Sequence, residues 1–206
     1  MYEIIEVILV VLGLFFGFKL ASFVFKRLRT VKQIASLKSS GGVVSFRGFI
    51  LRPNWIKPRG YDIKVEFRDT VYYIRLFSGT GSSRSVHFAS EEFWVVYSKL
   101  RAMGGRTRKR GGVSFVTHNG TTVKMRPKVY IMPPFKVDEQ TDKKQVKVLL
   151  FSPAPFEVTY VTETKTTIRL AFTGDEIHGM RIFTSSTFVA YADRATREND
   201  DFLYFK

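Results

Sequence analysis

Apolar residues fall into two regimes along this chain. From Ile4 to Phe25 they run almost without interruption, broken only by Glu6, Lys19 and small residues. From residue 43 onward they alternate with polar residues in short bursts, as in Tyr61-Asp62-Ile63-Lys64-Val65-Glu66-Phe67. The first regime predicts a helix. About 22 positions at ~1.5 Å each rise ~33 Å, close to the ~30 Å hydrocarbon core of a bilayer. The pattern therefore predicts a single transmembrane anchor over residues 1–25, with the long stem of Lys19 carrying its ammonium toward the headgroups. A cleavable signal peptide fits less well: the start is acidic (Glu3, Glu6), and Ala21-Ser22-Phe23 is a poor cleavage site. Gly13, Gly17 and Ala21 recur every four residues and make a smooth stripe, the pattern that lets two membrane helices approach closely and form a homodimer.

Residues 26–42 read as a basic juxtamembrane helix ended by Ser39-Ser40-Gly41-Gly42. The second regime predicts strands over 61–67 and 70–77, a Ser/Gly loop over 78–83, and a short strand over 85–89. Ser90-Glu91-Glu92, followed by Phe93, Val96, Tyr97, Leu100 and Met103, predicts a capped helix ended by Gly104-Gly105. Residues 113–118 and 121–126 flank Asn119-Gly120, a strong hairpin signal. The same residues form a glycosylation sequon, Asn119-Gly120-Thr121, which is read as the turn. Another strand is expected over 128–132.

A shift of 95 positions aligns Pro58 with Pro153, Tyr61 with Phe156, Phe77-Ser78-Gly79 with Phe172-Thr173-Gly174, and Ser90 with Ser185. Read as a duplication, this converts the ambiguous stretch after Ser185 into a helix over about 186–198. The expected fold class is α+β: one N-terminal transmembrane helix, then a mostly β domain built from two similar strand-strand-strand-helix units. The units would span 43–132, with the added hairpin, and 146–206, joined by a proline-led linker over 133–145.

Charge then narrows the partners. Of 33 Lys and Arg and 18 Asp and Glu, only Lys19, Glu3 and Glu6 lie in residues 1–25, so the remainder carries a formal +16. Such a domain is drawn to polyanions: anionic lipid, nucleic acid or an acidic protein. Lys26, Arg27, Arg29 and Lys32 follow the apolar run and no cation precedes it, which places the domain on the cytoplasmic face of the cell membrane and the N-terminus outside. These four, with Arg106, Arg108, Lys109 and Arg110 of the segment RAMGGRTRKRGG, are the candidate contacts to anionic inner-leaflet lipid, with nucleic acid the less favoured polyanion. With no cysteine, disulfides, thiolate metal sites and thiol nucleophiles are excluded.

Chemistry is sparse. The three histidines, His87, His118 and His178, are scattered. Gly174-Asp175-Glu176-Ile177-His178-Gly179 gathers two carboxylates and an imidazole, a donor set suited to metal or acid–base work, though a solvated loop is the simpler reading. The 78–83 loop has the composition of a phosphate cradle without its Gly-Lys-Ser/Thr. A helix followed by three strands and a helix, with Asp62 on the first core strand, resembles the restriction-endonuclease-type core. That family binds Mg²⁺ with an acid on one strand and Glu-x-Lys on the next. Asp62 matches the first acid, but the next strand offers Tyr73-Ile74-Arg75 and no carboxylate, so the resemblance implies a non-catalytic site. The expected function is accordingly non-enzymatic: a membrane-tethered binding, scaffold or accessory module for a protein partner, without cofactor or metal. A tethered nucleic-acid binder and a nuclease-like or metal-assisted hydrolase using Asp62 or the 175–178 cluster are the rivals.

Overall fold

The computed structural model describes residues 2–47, 60–99, 113–116, 122–137, 140–162 and 167–204. Helix α1 (Tyr2–Ala35) is continuous and tightens into a 3-10 turn over Ser36–Ser40. It stops at Gly41, whose φ of 80° suits a residue without a Cβ, and the Gly42 N–H closes the turn on the Leu37 carbonyl at 3.0 Å.

Among the described residues twelve strands follow: β1 (Val43–Phe46), β2 (Ile63–Glu66), β3 (Thr70–Phe77), β4 (Arg84–Phe88), β5 (Phe93–Lys99), β6 (Val113–Val116), β7 (Thr122–Ile131), β8 (Lys144–Phe151), β9 (Glu157–Val161), β10 (Ile168–Leu170), β11 (Glu176–Ile177) and β12 (Met180–Thr184). Helix α2 (Ser185–Tyr204) closes the sequence of elements. Two six-stranded sheets result, with orders β1-β2-β3-β8-β12-β11 and β10-β9-β4-β5-β7-β6. The mixed α+β class and the N-terminal helix are therefore as expected.

The first sheet is covered on both faces, which explains why β3 is buried along nearly its whole length. Val71, Tyr73 and Phe77 point toward the second sheet and meet Val86, Phe88, Trp94, Val96 and Val158 there. Tyr72, Ile74 and Leu76 point the other way, onto Ile34 and Leu37 of the N-terminal helical segment and Phe188 and Ala192 of α2. The layers are thus helices, first sheet, second sheet. Aromatic edges tie the inter-sheet core: the Phe77 ring lies 5.4 Å from Trp94, 5.4 Å from Tyr130 and 6.2 Å from Phe151.

The two expected units are not what the chain builds. The 95-residue shift sets β2 against β9, β3 against β10 and β4 against β12, but the elements that follow differ in kind, since Ser90 opens a strand hairpin and Ser185 opens a helix. The repetition that exists is a pair of parallel arches. β3 runs parallel to β8 with Thr70 beside Lys144 and Phe77 beside Phe151, and each strand then crosses to the second sheet, where β4 runs parallel to β9. The arches share the sequence Leu-Phe-Ser at Leu76–Ser78 and Leu150–Ser152 and are stitched by Ser152 N–H to the Phe77 carbonyl at 3.1 Å. Both halves of the chain contribute to both sheets.

Two further expectations are corrected. The helix expected after Ser90 is strand β5. The Ala89 N–H bonds the Phe93 carbonyl at 2.9 Å and the Ser90 hydroxyl accepts the Phe93 N–H at 3.1 Å, so the serine closes a strand turn rather than capping a helix. Trp94 and Val96 then alternate inward, a period of two that β4 and β7 complete. The 133–145 segment is not merely a linker: Phe135 is buried in the inter-sheet core and Arg75 binds the carbonyls of Pro133 and Pro134. Residues 119–120 of the predicted hairpin turn lie outside the described residues, but β6 and β7 on either side pair antiparallel. The helix after Ser185 is found as α2. Thr187 accepts the Thr184 N–H at 2.9 Å, and a reciprocal bond runs from the Thr187 N–H to the Thr184 hydroxyl at 3.4 Å.

Candidate functional site

Helix α1 enters the domain at one end. The hydroxyls of Thr30 and Ser152 are 2.6 Å apart, the Ser185 hydroxyl donates to the Gln33 side chain, and the Ser40 hydroxyl donates to Asp193 at 2.6 Å. The two helices therefore run side by side in the same direction. Ser152 and Ser185 immediately follow β8 and β12, so α1 docks where β3, β8 and β12 finish, and its first seven turns extend beyond that end.

On the projecting part, Val10 to Phe18 and Leu20 are all exposed, with Phe18 at 77% and Phe16 at 65%. An apolar surface on every side is the mark of a helix made for an apolar surrounding, not for packing one face on a core. Among the described residues no helix is long and apolar enough to cross a membrane. The side chains of residues 2–9 and of Lys19, which belong to the expected span, lie outside that description. Gly13, Gly17 and Ala21 are exposed, and a Cβ added at either glycine would meet nothing within 4 Å.

The basic collar divides. Lys26, Arg29 and Lys32 are exposed around the point of entry. Arg27 departs from the expectation of lipid contact: it is 1% exposed, turned into the domain with its guanidinium 5.6 Å from the Phe23 ring. Arg106, Arg108, Lys109 and Arg110 lie outside the described residues.

At the same end a cleft of about 990 Å³ opens. The second arch, Ala154-Pro155-Phe156, forms one wall, and Ile168, Leu170 and Phe172 form another. Phe156 is 53% exposed and Phe172 66%, an unusual display for two phenylalanines. The outward face of the second sheet continues the lining. Ser85 sits opposite Glu157, and His87 opposite Thr159, one pair farther from the mouth. The His87 Nδ1 is 2.9 Å from the Thr159 hydroxyl, and burial holds the imidazole pKa below its ordinary value. The Ser85 hydroxyl is buried without a hydrogen-bond partner among the described residues. Ser85 and His87 thus share a strand face without the nucleophile–base contact that acyl transfer needs. A large apolar volume with a few polar groups set into its wall suits binding.

Comparison with known protein families, curated proteins and solved structures gives no match. The other candidates of the sequence resolve into structural parts. Asp62 is buried, and its carboxylate accepts the Leu76 N–H at 2.7 Å, extending the β2–β3 ladder by one bond. It faces no second carboxylate on β3, where Arg75 instead donates to the carbonyls of Gly60, Pro133 and Pro134. The 174–179 cluster is a tight hairpin between β11 and β12. His178 and Gly179 both have positive φ, 47° and 74°, as a type I′ turn requires, while the Asp175 carboxylate accepts the Phe172 N–H at 2.8 Å and Glu176 lies 3.8 Å from Arg181. Among the described residues no three His, Asp or Glu side chains gather to hold a metal; His118 lies outside them. The 78–83 loop is the turn of the first arch, held by the Thr80 hydroxyl on the Pro153 carbonyl and by Arg84 on the Gly79 carbonyl at 2.6 Å. Sequence reasoning missed the cleft. Its only signal was Phe156 and Phe172 in otherwise turn-like surroundings, and the arches that bring them together lie far apart in the chain.

Proposed function

We propose that this chain is a single-pass membrane-anchored protein, with the N-terminus outside the cell and a basic cytoplasmic domain that works by binding rather than by catalysis. One observation carries the reading: a helix apolar on all sides projects from the domain, with Val10 to Phe18 and Leu20 exposed. In water that surface would be costly, at ~25 cal/mol per Å² of apolar area left unburied. Lys26, Arg29 and Lys32, exposed where the helix meets the domain, supply the cytoplasmic cations. The domain's two packed cores and the hydrogen bonds of Thr30, Gln33 and Ser40 to it would make it a platform beside the membrane surface.

The test is extraction and protease protection of the full chain. Retention in membranes after alkaline carbonate washing, with the domain digested only when the cytoplasmic face is opened, is the expected result. Release by carbonate, or digestion by protease added outside sealed cells, would refute it. A salt-sensitive complex of the detergent-solubilised chain with nucleic acid, with no preference for anionic vesicles, would favour the tethered nucleic-acid binder instead.

A further inference from the structure

The cleft and the helix entry share one end of the domain, and neither the charge nor the anchor explains the cleft. Resting on the anchored reading above, we propose that the cleft holds the acyl chain of an anionic lipid drawn from the same bilayer.

Placement comes first. Thr30 touches Ser152, and Ser152 leads directly into the Ala154–Phe156 wall of the cleft. Phe25, the last residue of the expected span, precedes Thr30 by five residues, or about 7–8 Å of helix. The mouth of the cleft, with Phe156 and Phe172 exposed, therefore lies at the level of the headgroups. Aromatic side chains favour that zone.

Chemistry comes second. The lining is apolar along Phe156, Phe172, Leu170 and Ile168, while Ser85 offers a buried hydroxyl without a partner among the described residues. An acyl ester has the matching parts: a long apolar chain and carbonyl oxygens able to accept from that hydroxyl. The volume, about 990 Å³, is at the upper end of the ~300–1,000 Å³ range of ligand pockets and suits a chain rather than a small polar metabolite. Lys26 and Arg29, exposed where α1 enters the same end of the domain, supply positive charge at the headgroup level. Glu157, at the rim, disfavours a free anionic ligand entering head first and is consistent with the chain entering and the headgroup staying outside.

The experiment places a photoreactive benzoylphenylalanine at Leu170, in the lining of the cleft, or at Phe16, on the projecting helix, in the full chain in vesicles of phosphatidylglycerol and phosphatidylcholine. Adducts of lipid mass at both positions are expected, with phosphatidylglycerol enriched at position 170. Ala154→Trp, a change at an exposed rim position, should lower the adduct at 170 by about tenfold, as steric changes in apolar pockets do, and leave the adduct at 16 unchanged. Lipid at 16 but none at 170 overturns the cleft proposal and leaves the anchor standing. No lipid at either position overturns both. An adduct at 170 of the mass of a second copy, or of another protein, overturns the lipid assignment, as does a lipid adduct at 170 that Ala154→Trp does not change.

Discussion

Arg75 should be the single most sensitive polar side chain in the domain. It is 1% exposed on the central strand β3. Its Nε and Nη2 donate to the Gly60 carbonyl at 2.9 and 2.8 Å, its Nη1 to Pro133 at 2.9 Å, and its Nη2 also to Pro134 at 3.1 Å. The guanidinium carbon stands 4.3 Å from the centre of the Phe135 ring. Arg75→Met keeps an unbranched apolar stem but strips every donor. Three carbonyls lose a partner at ~1–3 kcal/mol each, and a desolvated cation–π contact of ~2 kcal/mol goes with them. Against this stands relief from burying a charge, so the net loss is set at about 3–5 kcal/mol, the range for breaking a buried charged network from one side. For a chain of this size that is a fall of roughly 6–20 °C in Tm, at about 2–4 °C per kcal/mol. The assay is thermal unfolding of the full chain in detergent by near-ultraviolet circular dichroism, with amide exchange read at Phe135. Arg75→Lys should recover little, because an ammonium lacks the planar fork that spans three carbonyls. A melting temperature for Arg75→Met within about 1 °C of the parent, with Phe135 exchange unchanged, would refute the claim that Arg75 fastens the Pro133–Phe135 strap.

Three further outcomes are expected. Burial pushes the Tyr72 phenol up to about 12, so its neutral form supports the fold fully below pH 10 and that support is lost as pH rises through 12; a phenolate absorbance titration of the parent against Tyr72→Phe should show one late-ionising tyrosine missing in the variant. Thr184→Ala removes one side of the reciprocal Thr184–Thr187 bonds at the start of α2 and should cost about 1 kcal/mol in urea unfolding, with Thr184→Ser restoring most of it. Gly13→Ile and Gly17→Ile should weaken self-association of the chain in bilayers without changing the melting temperature, since a Cβ at either site meets nothing in the monomer; unchanged association measured by energy transfer would remove the helix-dimer idea.

Local signals carried much of the fold into the sequence. Alternation marked β2, β-branched and aromatic residues marked β3, the hairpin pattern agreed with the antiparallel pairing of β6 and β7, and Gly41 marked the end of the first helical segment. The failures came where a local signal had two physical meanings. Ser90-Glu91-Glu92 is as good a helix start as it is a hairpin turn, and the decision is made by partners: β4 and β7 offer ladders to residues 93–99, and Trp94 and Val96 have a core to enter on alternate positions. The 95-residue shift misled only at its last element, where the Ser185 helix has a strand, β5, as its counterpart after Ser90. Arg27 was legible only as a cation after an apolar run; its burial depends on how α1 rolls onto the domain. The cleft was beyond reach, since Ser85, Phe156 and Leu170 converge only after β9 pairs with both β4 and β10.

The parallel arches also fix an order of events at the ribosome. β3 cannot find β8 until residues 144–151 have emerged. At about 5–20 residues per second, the 74 residues between partners take roughly 4–15 s to make. Throughout that interval Val71 to Phe77, destined for burial on both sides, waits without its parallel partner strand. That interval favours a holdase on the nascent chain, and overexpression should exhaust such protection before it slows synthesis.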